Sequence, residues 1–192
     1  MLCIARVKIP TDLELQIKTA RLDLEPVLES HARELTDLFA DPELHRYVDF
    51  QVPTYEVQLA RCIRWSRRQS PTGDELWLNW AARHRGSQLI IGHFQVGLRV
   101  GSPRASIGYM VARSYQNQGL AREALEPVIE FLADSLGVAE IFAEIDPHNE
   151  ASIRLVERLG LSRSALAPAN GADVVYAMPL SRLSVSRTQR TQ

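Results

Sequence analysis

The residues of this 192-residue chain best suited to chemistry lie in two short stretches of its second half. In "SYQNQGLAREAL" (114–125), Gln116, Asn117, Gln118, Gly119, Leu120 and Ala121 lead into a run of strong helix formers. The first turn of a helix carries N–H groups without intrahelical partners and a partial positive charge. Gly119 admits a backbone conformation, or a close approach, that a side chain would obstruct, and the small Ala121 keeps the next turn open. The chemistry on offer is the binding of an anion such as a pyrophosphate by converging amides. A plain strand-to-helix turn would use the same glycine, and on these residues alone both readings are open. Further on stands Asn149-x-x-Ser152, directly behind a strand-like run. Asn149 is suited to capping a helix, and Ser152 offers a hydroxyl one turn in. Neither G-x-x-x-x-G-K-[ST] nor a G-x-G-x-x-G after a strand occurs, so the usual nucleotide loops are absent from the sequence.

These stretches need elements to position them. "ARLDLEPV" alternates as a strand and stops at Pro26. "VLESHARELTDLFAD" places Leu28, Ala32, Leu35, Leu38 and Phe39 on one helical face, ended by Asp41-Pro42. Thr54 caps a second helix that turns Leu59, Cys62 and Ile63 inward. "LWLNWAARH" (76–84), "SQLIIGHFQVGLRV" (87–100) and "ASIGYMVARS" (105–114) form an antiparallel meander, punctuated by "RGS" and "GSPR". A helix from about 118 to 136 carries Ala121, Leu125, Val128, Ile129, Leu132 and Leu136 on one stripe, with Gly137 as its C-cap. "VAEIFAEID" is a strand, "NEASIRLVERLG" a helix and "DVVYAMPL" a closing strand. The expected fold is α/β: a mixed sheet with an antiparallel front half, a β-α-β-α-β back half and helices on both faces.

Length and composition fit one ordinary domain at residues 19–181, between an N-terminal extension (1–18) and a polar tail (182–192). The chain is 45% hydrophobic and 23% charged, with a formal net charge of −1. Without a polybasic block, no bulk attraction to nucleic acid or an anionic membrane is expected. The two cysteines, Cys3 and Cys62, form no metal-type cluster and demand no disulfide, so no metal is expected and a reducing compartment is favoured. Arg6, Lys8 and Pro10 interrupt any apolar start, and no run approaches the roughly 18 apolar residues of a membrane span. A cytoplasmic protein is expected.

The order strand, Q-x-x-G-x-A, helix, strand, N-x-x-S, helix, Gly resembles the GNAT acetyltransferases. The wording "IGYMVARSYQNQGLAREAL…NEASIRLVERLGL" is similar to the branch containing the ribosomal-protein N-terminal acetyltransferases. "TARLDLEPV" (19–27), "FADPELHRYV" (39–48) and "IIGHFQVGL" (90–98) agree with that branch, and the resemblance spans residues 19–180. It implies acetyl-CoA as co-substrate, with its pyrophosphate on the turn from Gln116 to Ala121. The pantetheine arm would pair with the main chain around Met110 and Val111, and Asn149 and Ser152 would approach the pantetheine or the thiol. It further implies direct attack of an amine in a ternary complex, the thioester carbonyl being polarised by the N–H of Met110 or Val111.

The proton-transfer groups are less well marked. Relatives often carry a tyrosine on the helix after the asparagine motif, where this chain has Val156; others carry a glutamate after "GF", where this chain has Ser164 in "GLSRSA". Ser152 and Tyr109 are the residues expected to act, Tyr109 sharing its strand parity with Ile107 and Val111. His93, Glu144 and His148 are further candidates, each with an ordinary structural role to weigh against it. For the acceptor, "HRYVDFQVPT" (45–54) offers Asp49 to attract a cationic amine and Tyr47 and Phe50 as an aromatic wall, or simply a helix–helix connection. The resemblance favours a protein N-terminus, with small-molecule amines as the other acceptor class. A non-catalytic acyl-CoA-binding or regulatory module is the alternative. Homodimerisation through sheet edges or helices is common in such folds.

Overall fold

The computed structural model describes residues 15–48 and 51–180. Asp49 and Phe50 of the acceptor-side loop therefore lie outside the described residues. Among the described residues, eight strands form one sheet: β1 (Ile17–Lys18), β2 (Leu22–Pro26), β3 (Glu75–His84), β4 (Ile90–Arg99), β5 (Arg104–Val111), β6 (Glu140–Ile145), β7 (Ser162–Arg163) and β8 (Val174–Pro179). Their order across the sheet is β1-β2-β3-β4-β5-β6-β8-β7, antiparallel throughout except for the β5–β6 pair. Four helices accompany them: α1 (Ala32–Phe39), α2 (Tyr55–Ser66), α3 (Leu120–Leu136) and α4 (Glu150–Arg158). This is the mixed α/β arrangement expected from the sequence.

Strand alternation sorts side chains to two faces. On one face Trp80, Phe94 and Tyr109 stand opposite one another across β3, β4 and β5, and Ile107 and Val111 share that side. α3 covers it with Leu125, Val128, Ile129 and Leu132, all 3% exposed or less, and α4 adds Val156. Each such buried side chain contributes roughly 2 kcal/mol by leaving water. On the other face Ala81, Asn79, His93 and Met110 meet α1 and α2, where Leu35, Phe39 and Cys62 are buried. α3 ends at Gly137, whose φ of 64° and N–H to Leu132 O make the expected C-cap.

Three local expectations are corrected. The helix expected from Leu28 begins only at Ala32, after a 3-10 turn at Glu29–His31, and Leu28 is 51% exposed rather than on the buried face. His31 causes this: its ring turns inward, accepts the Leu28 N–H at 2.9 Å and lies 3.0 Å from the Glu25 carboxylate. In α2 the inward stripe runs Tyr55, Gln58, Leu59, Cys62 and Trp65, so Ile63 falls off it and is exposed. Thr54 does cap α2, accepting from Val57 N. Finally, Ile17 and Lys18, placed by the sequence in the N-terminal extension, are strand residues of the sheet. Ile17–Lys18 pairs with β2, Leu15 is 2% exposed, and its carbonyl accepts from Trp80 Nε1 at 2.7 Å. Two paired residues are too few to show a period.

Candidate active site

The sheet opens where the two halves meet. β5 and β6 pair only at Arg104–Glu140, Ala105–Ile141 and Ser106–Phe142; beyond that, β6 continues against β8 while the end of β5 is held by β4 alone. In an antiparallel ladder the backbone groups of successive residues point alternately toward and away from the partner. Ala112 N donates to Ile91 O at 2.7 Å, which commits Met110, two residues back, to β4 as well. The N–H and C=O of Val111, between them, face the gap. Of the two positions considered for polarising a carbonyl, Val111 is the one whose amide is available.

The chain leaves β5 through a 3-10 turn at Arg113–Tyr115 and a loop stabilised by its own amides. Gln116 Nε2 donates back to Val111 O at 2.9 Å, and Gln118 Nε2 to Ser114 O at 2.9 Å. Asn117 and Gly119 both adopt left-handed backbone, with φ of 59° and 77°. Asparagine tolerates that region and glycine enters it without penalty. A Cβ at Gly119 would meet nothing nearer than Arg21 Nη2 at 3.7 Å. The glycine is thus required by its φ rather than by crowding. No side chain caps α3 at Gly119, and the Leu120 and Ala121 amides have no acceptor among the described residues. Alternating backbone conformations followed by a free helix N-terminus form an anion-binding concavity.

Across the gap, Asn149 caps α4, its Oδ1 accepting from Ser152 N at 3.2 Å. The Tyr109 hydroxyl reaches over from β5 and donates to Ser152 O at 3.4 Å. Burial pushes the Tyr109 phenol up, only partly offset by that hydrogen bond. Val156, one turn along α4 from Ser152, is fully buried in the core. The strand therefore brings a phenol to the same stretch of helix.

One cleft of about 550 Å³ joins these features. Its wall includes Tyr109, Met110, Val111, Gln116, Asn117, Gly119, Leu120, Ala121, Asn149 and Ser152, with Tyr47 at the α1–α2 side. Gln118 does not line it. The cleft is also rimmed by Arg113, Arg122, Arg154 and Arg158. The i,i+4 spacing of Arg154 and Arg158 on α4 was the sequence signal for that basic rim. Arg46 lies over the Tyr47 ring at 5.5 Å, so that ring face already holds a cation. His93, Glu144, His148 and Ser164 do not line the cleft. Glu144 accepts from Ala169 N, and His148 pairs with Asp146 on the surface. Among the described residues no cluster of three metal-ligating side chains occurs, and no helix is long and apolar enough to cross a membrane.

His93 is packed rather than poised. It is 5% exposed, stacks on Trp65 at 4.7 Å, meets Phe39 edge-on and hydrogen-bonds Asn79 through Nε2. Burial holds its pKa down at about 4, against an ordinary 6.5. Between those values the unfolded chain binds a proton that the folded chain refuses, so stability falls as pH drops from about 6.5 toward 4. Urea unfolding across that window should show the wild type losing roughly 3 kcal/mol more than His93→Gln. Parallel losses in the two proteins would contradict this assignment.

A sequence-family profile described as "Acetyltransferase (GNAT) domain" matches residues 21–162. An uncharacterized N-acetyltransferase of Bacillus licheniformis, p20, is 27% identical over 149 residues, covering 77% of this chain and 83% of that protein. The [ribosomal protein bS18]-alanine N-acetyltransferase of Escherichia coli K12 is 28% identical over 132 residues, covering 65% and 86%. Among solved structures, RimL, a ribosomal L7/L12 alpha-N-protein acetyltransferase in complex with coenzyme A, superimposes with a TM-score of 0.70 at 19% identity, covering 84% of this chain and 95% of that one.

Proposed function

The chain belongs to the GNAT acetyltransferase family, and from that membership we propose that it moves an acetyl group from acetyl-CoA to the primary amine of a protein N-terminus, by direct attack in a ternary complex. The observation carrying this reading is the opening between β5 and β6, which leads from the Val111 amide to the left-handed turn at Asn117 and Gly119. Acetyl-CoA would supply the activated acyl group as a thioester. The amides of Gly119, Leu120 and Ala121 would take its pyrophosphate, the Gln116 N–H being given to Arg113 O. Arg158, with Arg113, Arg122 and Arg154 in exchange for Asp41, Glu126 and Glu150, would meet its remaining phosphate.

Each residue then has a definite task. The Val111 N–H faces the gap and would stabilise negative charge developing on a thioester carbonyl oxygen bound there. Asn149 holds the first turn of α4, and Ser152 and Tyr109 supply hydroxyls beside the departing sulfur. A phenol with a raised pKa keeps its proton, so Tyr109 acts as a hydrogen-bond donor to the thiolate and completes the transfer late. The acceptor would enter past Tyr47, which lines the cleft. The acceptor class follows the bS18-alanine and L7/L12 relatives, whose substrates are protein N-termini.

The second reading, a module that binds acyl-CoA without turning it over, draws on the buried Val156, which leaves α4 without a phenol at that turn. Thiol release from acetyl-CoA, followed with peptides bearing free N-termini, an aminoglycoside and a polyamine, separates the two. Peptide-dependent turnover with intersecting initial-rate lines supports the proposal. Parallel lines would contradict the ternary complex, turnover only with the small amines would contradict the acceptor, and binding without turnover would favour the module.

A further inference from the structure

The turn before α3 is held from outside by the hairpin between β1 and β2. Glu123, in the first turns of α3, accepts three hydrogen bonds from that hairpin: Thr19 Oγ1 at 2.6 Å, Arg21 N at 2.7 Å and Arg21 Nε at 2.7 Å. Arg21 Nη1 donates in addition to Gln118 O at 3.0 Å. The Glu123 side chain is 18% exposed; burial alone would push its carboxyl up, but the bonds from Thr19 and Arg21 outweigh that and hold it below the ordinary carboxylate range. Arg21 itself does not line the cleft.

Two physical consequences follow for the concavity. The carbonyl of Gln118 and the N–H of Gly119 belong to one planar trans peptide and point in opposite directions. By fixing that carbonyl on its own side, Arg21 aims the Gly119 N–H away from itself. Glu123 also carries a negative charge close to the helix N-terminus, where it would oppose an arriving anion. Pairing with Arg21 cancels that charge while leaving the amides free. We propose that Arg21 is a positioning residue for the anion cradle: it sets the Gln118–Gly119 peptide and neutralises Glu123, so that the turn receives a pyrophosphate. The proposal rests on the reading that acetyl-CoA binds at this turn.

The test is calorimetric titration of coenzyme A into wild type, Arg21→Ala and the Arg21→Ala, Glu123→Gln double variant. Alongside it, kcat/KM is measured for acetyl-CoA and for S-acetylpantetheine, a donor without the pyrophosphate. Arg21→Ala should weaken coenzyme A binding about tenfold, as expected for loss of a charge-assisted contact. The double variant should recover part of that loss, because its remaining side chain carries no charge. The kcat/KM ratio of acetyl-CoA to S-acetylpantetheine should fall by the same factor of about ten. Affinity within about twofold of wild type, or an equal decline with both donors, would overturn the proposal, the latter because a general loosening of the fold does not discriminate between donors. Should Arg21→Ala fail to fold, Arg21→Lys keeps the charge but lacks the fork that spans Glu123 and Gln118. It should show the same donor-selective loss, smaller in size, and an unselective loss would again overturn the proposal. Wild-type protein that does not bind coenzyme A would sink the cradle itself, a result distinct from wild-type binding with an unaffected variant.

Discussion

A Gly119→Glu variant is expected to lose acetyl-CoA binding by more than about 100-fold while remaining folded. The comparison that isolates the cause is Gly119→Ala. At a φ of 77° any side chain carries the left-handed penalty, about 1–2 kcal/mol. Space is not the obstacle, since a Cβ there has its nearest neighbour at 3.7 Å. Alanine should therefore lower thermal stability modestly and affinity slightly. Glutamate adds a negative charge beside the pyrophosphate. At about 5 Å and an effective dielectric of about 20, each pair of like charges costs roughly 3 kcal/mol. Arg21 already pairs with Glu123 through Nε and donates to Gln118 O through Nη1, so a second carboxylate near its Nη2 would share its single charge with Glu123 and leave a net negative charge at the turn. Calorimetric titration with parallel thermal unfolding measures both effects. Equal affinities in the alanine and glutamate variants would show that no anion binds at this turn.

Tyr109→Phe is expected to lower kcat about 100-fold with little change in acetyl-CoA affinity. The ring stays in its row beside Phe94, at 6.5 Å between centroids, so packing survives and only the hydroxyl is removed. On the proposed mechanism, the departing thiolate then lacks the Tyr109 hydroxyl as its donor. The pH profile adds a second check. Burial raises the Tyr109 phenol above its ordinary 10, so the proton is held throughout the neutral and mildly alkaline range. Wild-type kcat should accordingly rise with pH as the acceptor amine loses its proton, with no decline from this group below pH 10. For the same reason stability should decrease above about pH 10, where the unfolded chain releases a proton that the folded chain retains. A full-rate Tyr109→Phe enzyme would move the donor role to Ser152, or to water.

Much of this arrangement was legible in the residues themselves. The alternation of Ile107, Tyr109 and Val111, the stripe from Leu125 to Leu136 and the glycine before a helix each express a local rule, and the fold obeys those rules. The Gln116, Gly119, Ala121 and Asn149, Ser152 spacings were sufficient to suggest the family, which the profile match over residues 21–162 shows. The features that were hidden arise between distant segments. No local pattern marks where the β5–β6 ladder stops, yet that stop after Ser106 and Phe142 makes the opening and singles out the Val111 amide. Arg21 and Glu123 stand far apart in the chain and read as ordinary surface charges until the fold joins them. Leu28 and Ile63 were misplaced for a related reason: an inward-turned His31 and a buried Gln58 took positions that hydropathy alone assigns to aliphatic side chains.

The most direct test of the whole account is titration of acetyl-CoA into the unmodified protein. Saturable one-to-one binding in the micromolar range, about −8 kcal/mol, is the expected result, and it would tie the gap in the sheet and the turn at Gly119 to one ligand. Folded protein that takes up no acetyl-CoA would contradict the central claim.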